Sequence, residues 1–158
     1  DIIGYLIAKG EIFLTKKGKN YIDWGTVKEW NRYKMNQKTF IVDLDGVLVE
    51  SSARHFKPYW GTTKAIENNV AAVNRLKEKG NQIIIFTSRT SDYRKVTVSQ
   101  LKKIGLKYDA LVMDALHNQR ILINDFSRSN PFPSAMAINV ERDTDQLCHF
   151  LVDMELSD

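Results

Sequence analysis

The feature that most constrains the fold is a regular alternation of segments after residue 38. Short β-rich runs alternate there with helical patterns that end at glycine. Five runs have strand length, at residues 39–44, 82–87, 110–113, 120–124 and 135–140. Parallel strands need a crossover connection, which a helix usually supplies, so this alternation indicates βαβ units. The pattern predicts an α/β fold: an open parallel sheet of about five strands with helices on both faces.

The helical patterns are amphipathic and have recognisable ends. The first spans residues 66–76 and stops at Gly80, and the second spans residues 93–104 and stops at Gly105. A third, at residues 147–154, follows a candidate N-cap at Asp143 or Thr144. Apolar residues recur at helical spacing in each pattern, as expected for a helix that buries one face against a sheet.

Composition limits the class of protein. The chain has 158 residues, 43% of them hydrophobic and 27% charged, which is typical of one globular domain and excludes a disordered chain. Cys148 is the single cysteine, so an internal disulfide is excluded. The longest apolar runs are far shorter than the roughly 20 residues that span a bilayer. These observations predict a cytoplasmic protein without a membrane partner.

The first 38 residues differ from the rest in charge. They hold eight Lys or Arg against four Asp or Glu and carry the whole net charge of +4. We therefore divide the chain into an appendage, residues 1–38, and a main domain, residues 39–158. Within the appendage we expect a short hairpin formed by residues 2–14 and 21–24, with a solvated turn around Gly18 at its tip, and then a brief helix over 26–33. Exposed lysines favour that turn over a nucleic-acid surface.

The chain opens on Asp1 and its first methionine is Met35. We therefore expect it to be a piece of a longer polypeptide.

Two carboxylates lie where the first β-rich run ends. Asp43 and Asp45 are separated by one leucine and followed by Gly46, which permits a sharp turn. Two like charges this close repel, and a protein that keeps both usually neutralises them with a cation. A solvated turn or a calcium loop are the alternatives, but the further oxygen ligands of a calcium loop do not follow. The pattern favours a Mg²⁺ site.

Residues 40–48 resemble the first motif of the haloacid dehalogenase superfamily of phosphotransferases. The resemblance implies a Rossmann-like core in which Asp43 is the nucleophile that accepts a phosphoryl group and Asp45 is the general acid and base. An aspartate at the second position favours a phosphatase, since the related ATPase pumps carry threonine there.

Two further runs resemble later motifs of that superfamily. In residues 83–89, the match implies that Thr87 binds the transferring phosphoryl group, with Ser88 and Arg89 as helpers. In residues 121–125, it implies that Asp125 completes a Mg²⁺ site with Asp43 and the carbonyl of Asp45. Asn124 stands where many relatives carry a first aspartate.

The third motif of the superfamily, normally a lysine or arginine, has no clear counterpart. No lysine directly precedes residues 120–124, so the cation that balances the nucleophile must come from elsewhere. We favour His117 for this role at the phosphate site. The alternatives are Arg120 in the same link and Lys102 or Lys103 in the preceding helix.

Connections between the motifs are short. Fewer than twenty residues separate the first motif from the helix that begins near Thr63, and this predicts that no cap domain is present. His55, Tyr59 and Trp60 are then the nearest candidates for substrate selection. Packing against the sheet explains the two aromatic residues equally well.

Two weaker resemblances suggest the substrate. Residues 21–30 are similar to the tail of sugar nucleotidyltransferases, and residues 122–135 resemble phosphatase domains of bacterial surface-polysaccharide pathways. They imply a Mg²⁺-dependent phosphatase acting on a sugar or polyol phosphate. A nucleotide or polynucleotide phosphatase and a binding module without turnover are the alternatives. The predicted partners are a small phosphorylated substrate and either a second copy of the chain or a fused upstream nucleotidyltransferase domain.

Overall fold

The chain forms two compact units, Asp1–Asn36 and Gln37–Asp158. This computed structural model describes residues 2–12, 25–29, 36–52, 60–128 and 134–156. In those residues, no helix is long and apolar enough to cross a membrane.

The first unit begins with a helix, α1, at Ile2–Ala8. The first strand of the predicted hairpin is therefore wrong over residues 2–8, and residues 13–24, which include its tip and second strand, lie outside the described residues. Gly10, with φ +85°, closes α1, and Glu11 N–H donates to the Leu6 carbonyl at 3.1 Å. A left-handed glycine after a helix satisfies its last carbonyls, and this local signal outweighs the loose alternation of apolar residues.

The brief helix expected over residues 26–33 begins as predicted. Residues 27–29 are helical, and the remainder lies outside the described part of the chain. Thr26 N–H donates to the Glu29 carboxylate at 2.9 Å, and Glu29 N–H donates to the Thr26 hydroxyl at 3.2 Å. This reciprocal capping box satisfies two backbone donors that the helix leaves without partners.

The second unit contains the parallel sheet. Its strands are β1 at Thr39–Asp43, β2 at Gln82–Phe86 and β3 at Ala110–Val112, in the order β1-β2-β3. In the register Asp43 pairs with Phe86, so the residues after these two strands meet at one edge of the sheet. The predicted α/β fold with a parallel sheet is confirmed.

Helices cover the sheet and supply part of its core. They are α2 at Glu67–Glu78, a short 3-10 helix at Ser91–Tyr93, α3 at Arg94–Lys103 and α4 at Gln146–Leu156. Each of the three α-helices buries apolar residues against the strands, in one cluster that includes Val73, Leu76, Leu101, Leu151, Ile83, Ile85 and Val42. The predicted helical patterns end within a few residues of these bounds.

Two of the five predicted strands do not form. Residues 120–124 and 135–140 have no regular secondary structure, and the described residues contain a sheet of three strands. Ile121 and Ile123 are 78% and 90% exposed, so nothing covers this apolar run. Asn124 instead donates its amide to the Ser134 carbonyl at 3.1 Å, across the loop. A short apolar run indicates a strand only where a partner edge accepts its backbone hydrogen bonds.

Candidate active site

The end of β1 and the tight turn that follows it carry the two carboxylates, Asp43 and Asp45. Gly46 has φ +86°, and its N–H donates to the Val49 carbonyl at 2.7 Å. The side chains of Leu44 and Leu48 are completely buried on either side of the turn. Asp43 and Asp45 are thus held on a backbone that the core fixes.

Asp43 is the more accessible carboxylate, with 32% of its side chain exposed. Its Oδ1 accepts the N–H of Leu44 at 2.8 Å, and its Oδ2 accepts Nη1 of Arg120 at 3.0 Å. The guanidinium of Arg120 also lies over the Phe86 ring, 5.2 Å from its centroid. Asp43 therefore has an accessible oxygen and a cation that balances its charge.

Asp45 is held by the buried guanidinium of Arg89. Nε of Arg89 donates to Oδ2 and Nη2 donates to Oδ1, both at 2.8 Å. The hydroxyl of Thr87 donates to the same Oδ2 at 3.4 Å. This bidentate arrangement fixes the plane of the Asp45 carboxylate.

The role expected for Arg89 differs from its position. Its side chain is completely buried, and Nη1 donates to Thr97 Oγ1 at 3.2 Å and to Gln100 Oε1 at 2.8 Å. Gln100 in turn donates Nε2 to the Thr63 carbonyl at 2.9 Å. Four of the five N–H donors of a guanidinium are thus engaged within the protein. Arg89 lies behind Asp45 and positions it, rather than offering donors to a phosphate.

Ser88 and His117 lie together beyond the end of β2. The Ser88 hydroxyl is 3.4 Å from Nδ1 of His117. Ser88 is half-buried and His117 is exposed, whereas Thr87 is completely buried and directed towards Asp45. Of the three residues expected at the phosphate after β2, Ser88 is the one with an accessible hydroxyl.

The structure places Arg120, and not His117, against the nucleophile candidate. Lys102 and Lys103 lie in the last turn of α3. This helix leads into the start of β3, so its last turn lies towards the end of the sheet where the strands begin, away from the two carboxylates. The choice among these cations could not be made from the sequence, because it depends on how the irregular link before residue 120 folds back.

Asp125 is not brought to the two other carboxylates. It is exposed in the segment that does not form a strand. Among the described residues, the acidic, His and Cys groups whose ligand atoms lie within 4.8 Å of one another do not include Asp43, Asp45 and Asp125 together. The reason is the missing strand at 120–124, which would have carried Asp125 to the edge of the sheet.

The donor set at the end of β1 fits a magnesium ion. Mg²⁺ is usually held by one or two carboxylates, with waters and substrate oxygens completing an octahedron. The partly exposed carboxylate of Asp43 and the main-chain carbonyl of Asp45 are oxygen ligands of that kind.

A loop before α4 also lies against the turn, a contact that the sequence pattern did not reveal. Asp143 N–H donates to the Gly46 carbonyl at 2.8 Å, and its carboxylate accepts Ser51 N–H at 2.6 Å. Cγ of Arg142 lies 2.7 Å from the position that a Cβ on Gly46 would occupy. The one available signal was the charged pair Arg142-Asp143 directly after an apolar run.

Of the residues considered for substrate selection, the structure describes Trp60. Its ring meets the Tyr93 ring edge-on, with centroids 4.7 Å apart. His55 and Tyr59 lie outside the described residues. Trp60 therefore packs against the 3-10 helix that follows Arg89.

Comparison with known proteins provides the family. The model of the haloacid dehalogenase-like hydrolases matches residues 40–144, more than half of the chain. None of the curated proteins compared with the chain matches it.

Solved structures show more distant likenesses. A chain of the Pnkp1/Rnl/Hen1 complex is 26% identical, with a TM-score of 0.45, over 53% of this chain and 30% of that one. A chain of the Pnkp1/Rnl/Hen1 RNA repair complex is 27% identical, with a TM-score of 0.44, over 53% and 28%. A structural-genomics target from Vibrio cholerae is 16% identical, with a TM-score of 0.42, over 75% and 99%. The chain thus spans less than a third of the length of the first two of these chains.

The matched range begins within β1, includes both carboxylates and Arg89 behind Asp45, and ends within the loop that packs on Gly46. On this match the chain belongs to the haloacid dehalogenase-like hydrolases.

Proposed function

We propose that the chain is a cytoplasmic Mg²⁺-dependent phosphatase that hydrolyses a small phosphate monoester. The observation that carries the proposal is the pair of carboxylates at the end of β1, of which one is accessible and the other is held by a buried guanidinium. Asp43 is 32% exposed beside Arg120, and Asp45 is 20% exposed on the buried Arg89. The two environments suit two roles in one reaction.

Asp43 is the nucleophile. A carboxylate oxygen attacks the phosphorus, the bond from phosphorus to the ester oxygen breaks, and the departing oxygen takes a proton from Asp45. Water then attacks the phosphorus of the aspartyl phosphate and gives its proton to Asp45. Orthophosphate leaves and the Asp43 carboxylate is restored.

One oxygen of Asp45 is better placed for these proton transfers. Oδ2 accepts both Arg89 Nε and the Thr87 hydroxyl, whereas Oδ1 accepts Arg89 Nη2 alone among the contacts described. Each carboxylate oxygen has two lone pairs. Oδ1 therefore retains a position for the proton, and we assign the exchange to this atom.

Ser88 and His117 are the proposed phosphate contacts. Their polar atoms lie 3.4 Å apart beyond the end of β2, and the buried Thr87 supports Asp45 next to them. Hydroxyl and imidazole N–H groups donate to phosphate oxygens. Arg120 would share its charge between Asp43 and the bound phosphoryl group.

Magnesium would be held by Asp43 and the Asp45 carbonyl, and it would screen the charge between the phosphate and the nucleophile. We propose that Asp125, which lies apart from the other two carboxylates in this structure, becomes a third ligand when the ion binds. Asp125→Ala should then raise the Mg²⁺ concentration needed for half-maximal activity, and an unchanged requirement would remove Asp125 from the set.

The proposed substrate class is a sugar or polyol phosphate of surface-polysaccharide synthesis. It is supported by the resemblances of residues 21–30 and 122–135. The resemblance of residues 21–30 supports an upstream nucleotidyltransferase domain as the partner, and a second copy of the chain is the alternative. A nucleotide or polynucleotide phosphatase and a module without turnover are the alternatives that experiment must separate.

The decisive experiment is phosphate release from a panel of sugar phosphates, polyol phosphates, nucleotides and 3′- or 5′-phosphorylated oligonucleotides, with Mg²⁺ and with chelator. We expect Mg²⁺-dependent release from a sugar or polyol phosphate, lost in Asp43→Asn and kept in the exposed-carboxylate control Asp92→Asn. Preferential release from nucleotides or oligonucleotides would instead assign the chain as a nucleotide or polynucleotide phosphatase. Equal turnover in chelator, or in Asp43→Asn, would overturn the mechanism.

A further inference from the structure

A cavity outside the candidate active site lies between α2 and α4. Its volume is about 310 Å³. Polar and apolar side chains of both helices line it: Asn68, Ala71, Arg75, Cys148, His149 and Val152.

Three different metal-binding side chains meet at the start of α4. The ligand atoms of Asp145, Cys148 and His149 all lie within 4.8 Å of one another, and Asp145 Oδ1 is 3.9 Å from His149 Nε2. Asp145 directly precedes α4, and the spacing i, i+3 and i+4 brings it to the side of the first turn that carries Cys148 and His149. Cys148 and His149 also line the cavity.

Contacts with α2 position this group. Asn68 donates its amide to Asp145 Oδ2 at 2.9 Å, so Oδ1 is the oxygen that faces His149. The completely buried Asn69 accepts Cys148 N–H at 3.0 Å and donates to the Thr144 carbonyl at 2.9 Å. The first turn of α4 is thus fixed by α2, and outer contacts of this kind orient metal ligands.

We propose that Asp145, Cys148 and His149 bind a divalent cation of the zinc class. A carboxylate and a thiolate supply two negative charges, which balance the cation, and the imidazole adds a neutral ligand. Sulfur and nitrogen ligands favour zinc over magnesium or calcium. The cavity leaves a fourth position open to water or a small ligand. The site shares no residue with the Asp43 and Asp45 centre and does not depend on the proposed phosphatase activity.

Cobalt is the probe, because Co²⁺ replaces Zn²⁺ in such sites and absorbs visibly. Titration of the full chain should produce a near-ultraviolet thiolate-to-cobalt band, which zinc removes. Since Cys148 is the single cysteine, the band reports this position. Cys148→Ser should abolish it. His149→Gln and Asp145→Asn should each weaken cobalt binding by about tenfold or more.

Two variants separate a built site from simple thiol binding. Asn68→Ala removes no ligand, yet it should weaken cobalt binding about tenfold because Asp145 loses its orienting amide. Asp92→Asn, at an exposed carboxylate elsewhere, should leave the titration unchanged. His149 is 74% exposed, so His149→Gln keeps the fold even where a cysteine variant does not. A missing band, or a band that His149→Gln and Asp145→Asn leave unchanged, would overturn the proposal.

Discussion

At the scale of single residues, the geometry of the candidate site depends most on Arg89. A completely buried guanidinium is stable only where its donors find acceptors, and here Asp45, Thr97 and Gln100 supply them. Removing one member leaves the others buried and without partners. The same contacts therefore stabilise the fold and orient the Asp45 carboxylate.

Arg89→Lys should separate the effect of the positive charge at this position from the effect of the hydrogen-bond geometry of the guanidinium. An ammonium keeps the positive charge but cannot donate to both Asp45 oxygens and to Gln100 in the same geometry. We expect the free energy of unfolding to fall by about 1–3 kcal/mol and kcat to fall by roughly a hundredfold or more, as for a misplaced acid–base group. Urea denaturation and phosphate release measure the two effects.

The control for that change is Arg94→Lys, at an exposed arginine at the start of α3. It should leave both quantities unchanged. A stable Arg89→Lys variant with unaltered kcat would show that Asp45 does not need the guanidinium.

Asp45→Asn tests the proposed acid by comparing two substrates whose leaving groups differ in their need for a proton. The amide keeps the shape of the side chain but cannot supply a proton, a loss of roughly a hundred- to ten-thousand-fold for general acid–base catalysis. An aryl phosphate, whose leaving group needs no proton, should lose less kcat/KM than an alkyl phosphate. Equal losses on both substrates would contradict the assignment of Asp45 as the acid.

The sequence was sufficient to predict that Asp43, Asp45 and Thr87 lie close together, because parallel strands end at the same edge of a sheet. It did not reveal that Arg89 faces inwards or that Arg120 contacts Asp43. A strand-end arginine can point to solvent or to the core, and only the packed helix α3, with Thr97 and Gln100, decides between them.

At the scale of elements, Asp109 links two strands and a helix. Its Oδ2 accepts Ile83 N–H in β2 at 2.8 Å, its N–H donates to the Ile83 carbonyl at 2.8 Å, and its Oδ1 accepts Lys77 Nζ of α2 at 2.6 Å. The hydrogen bond from Lys77, followed by the one from Ile83, holds the pKa of Asp109 below its ordinary 3.8.

Asp109→Asn should therefore make stability less dependent on pH. A carboxyl with a lowered folded-state pKa stabilises the fold above its unfolded pKa, and that contribution disappears as the pH falls through the folded value. The variant should unfold at a lower temperature than the parent at pH 7, and the gap should narrow below about pH 4. Thermal unfolding at both values measures it, with the exposed Glu67→Gln as control. A gap that is constant with pH would assign the effect to shape alone.

The elements that periodicity predicted well are those with local signals. The three strands that form end one residue earlier than expected, and glycine marks the ends of α2 and α3 correctly. The strand predictions for residues 120–124 and 135–140 were wrong because a strand needs a partner that is distant in sequence, and a short apolar run does not specify that partner. α1 was missed because its seven residues show too few turns for a clear helical period.

At the scale of the whole molecule, the boundary between the two units falls just before β1. Lys38 N–H donates to Oδ1 of the buried Asn81 at 2.8 Å, and the Lys38 carbonyl accepts Gln82 N–H at 3.0 Å. Thr39 adds a side-chain bond to Gln82 at 2.9 Å. Lys38 and Thr39 thus belong to the second unit, which begins at Gln37, two residues before the boundary that the charge pattern suggested.

Two truncations test this boundary and the location of the catalytic centre together. A chain starting at Gln37 keeps all three hydrogen bonds and every proposed catalytic residue, so it should fold and retain the Mg²⁺-dependent kcat of the full chain. A chain starting at Phe40 loses them and leaves the Asn81 oxygen buried without that donor. We expect it to be less stable by about 1–3 kcal/mol in urea denaturation, with an unchanged kcat where it remains folded. A folded but inactive Gln37 chain would show that residues 1–36 contribute to the site, and equal stability of the two truncations would show that the second unit begins after Thr39.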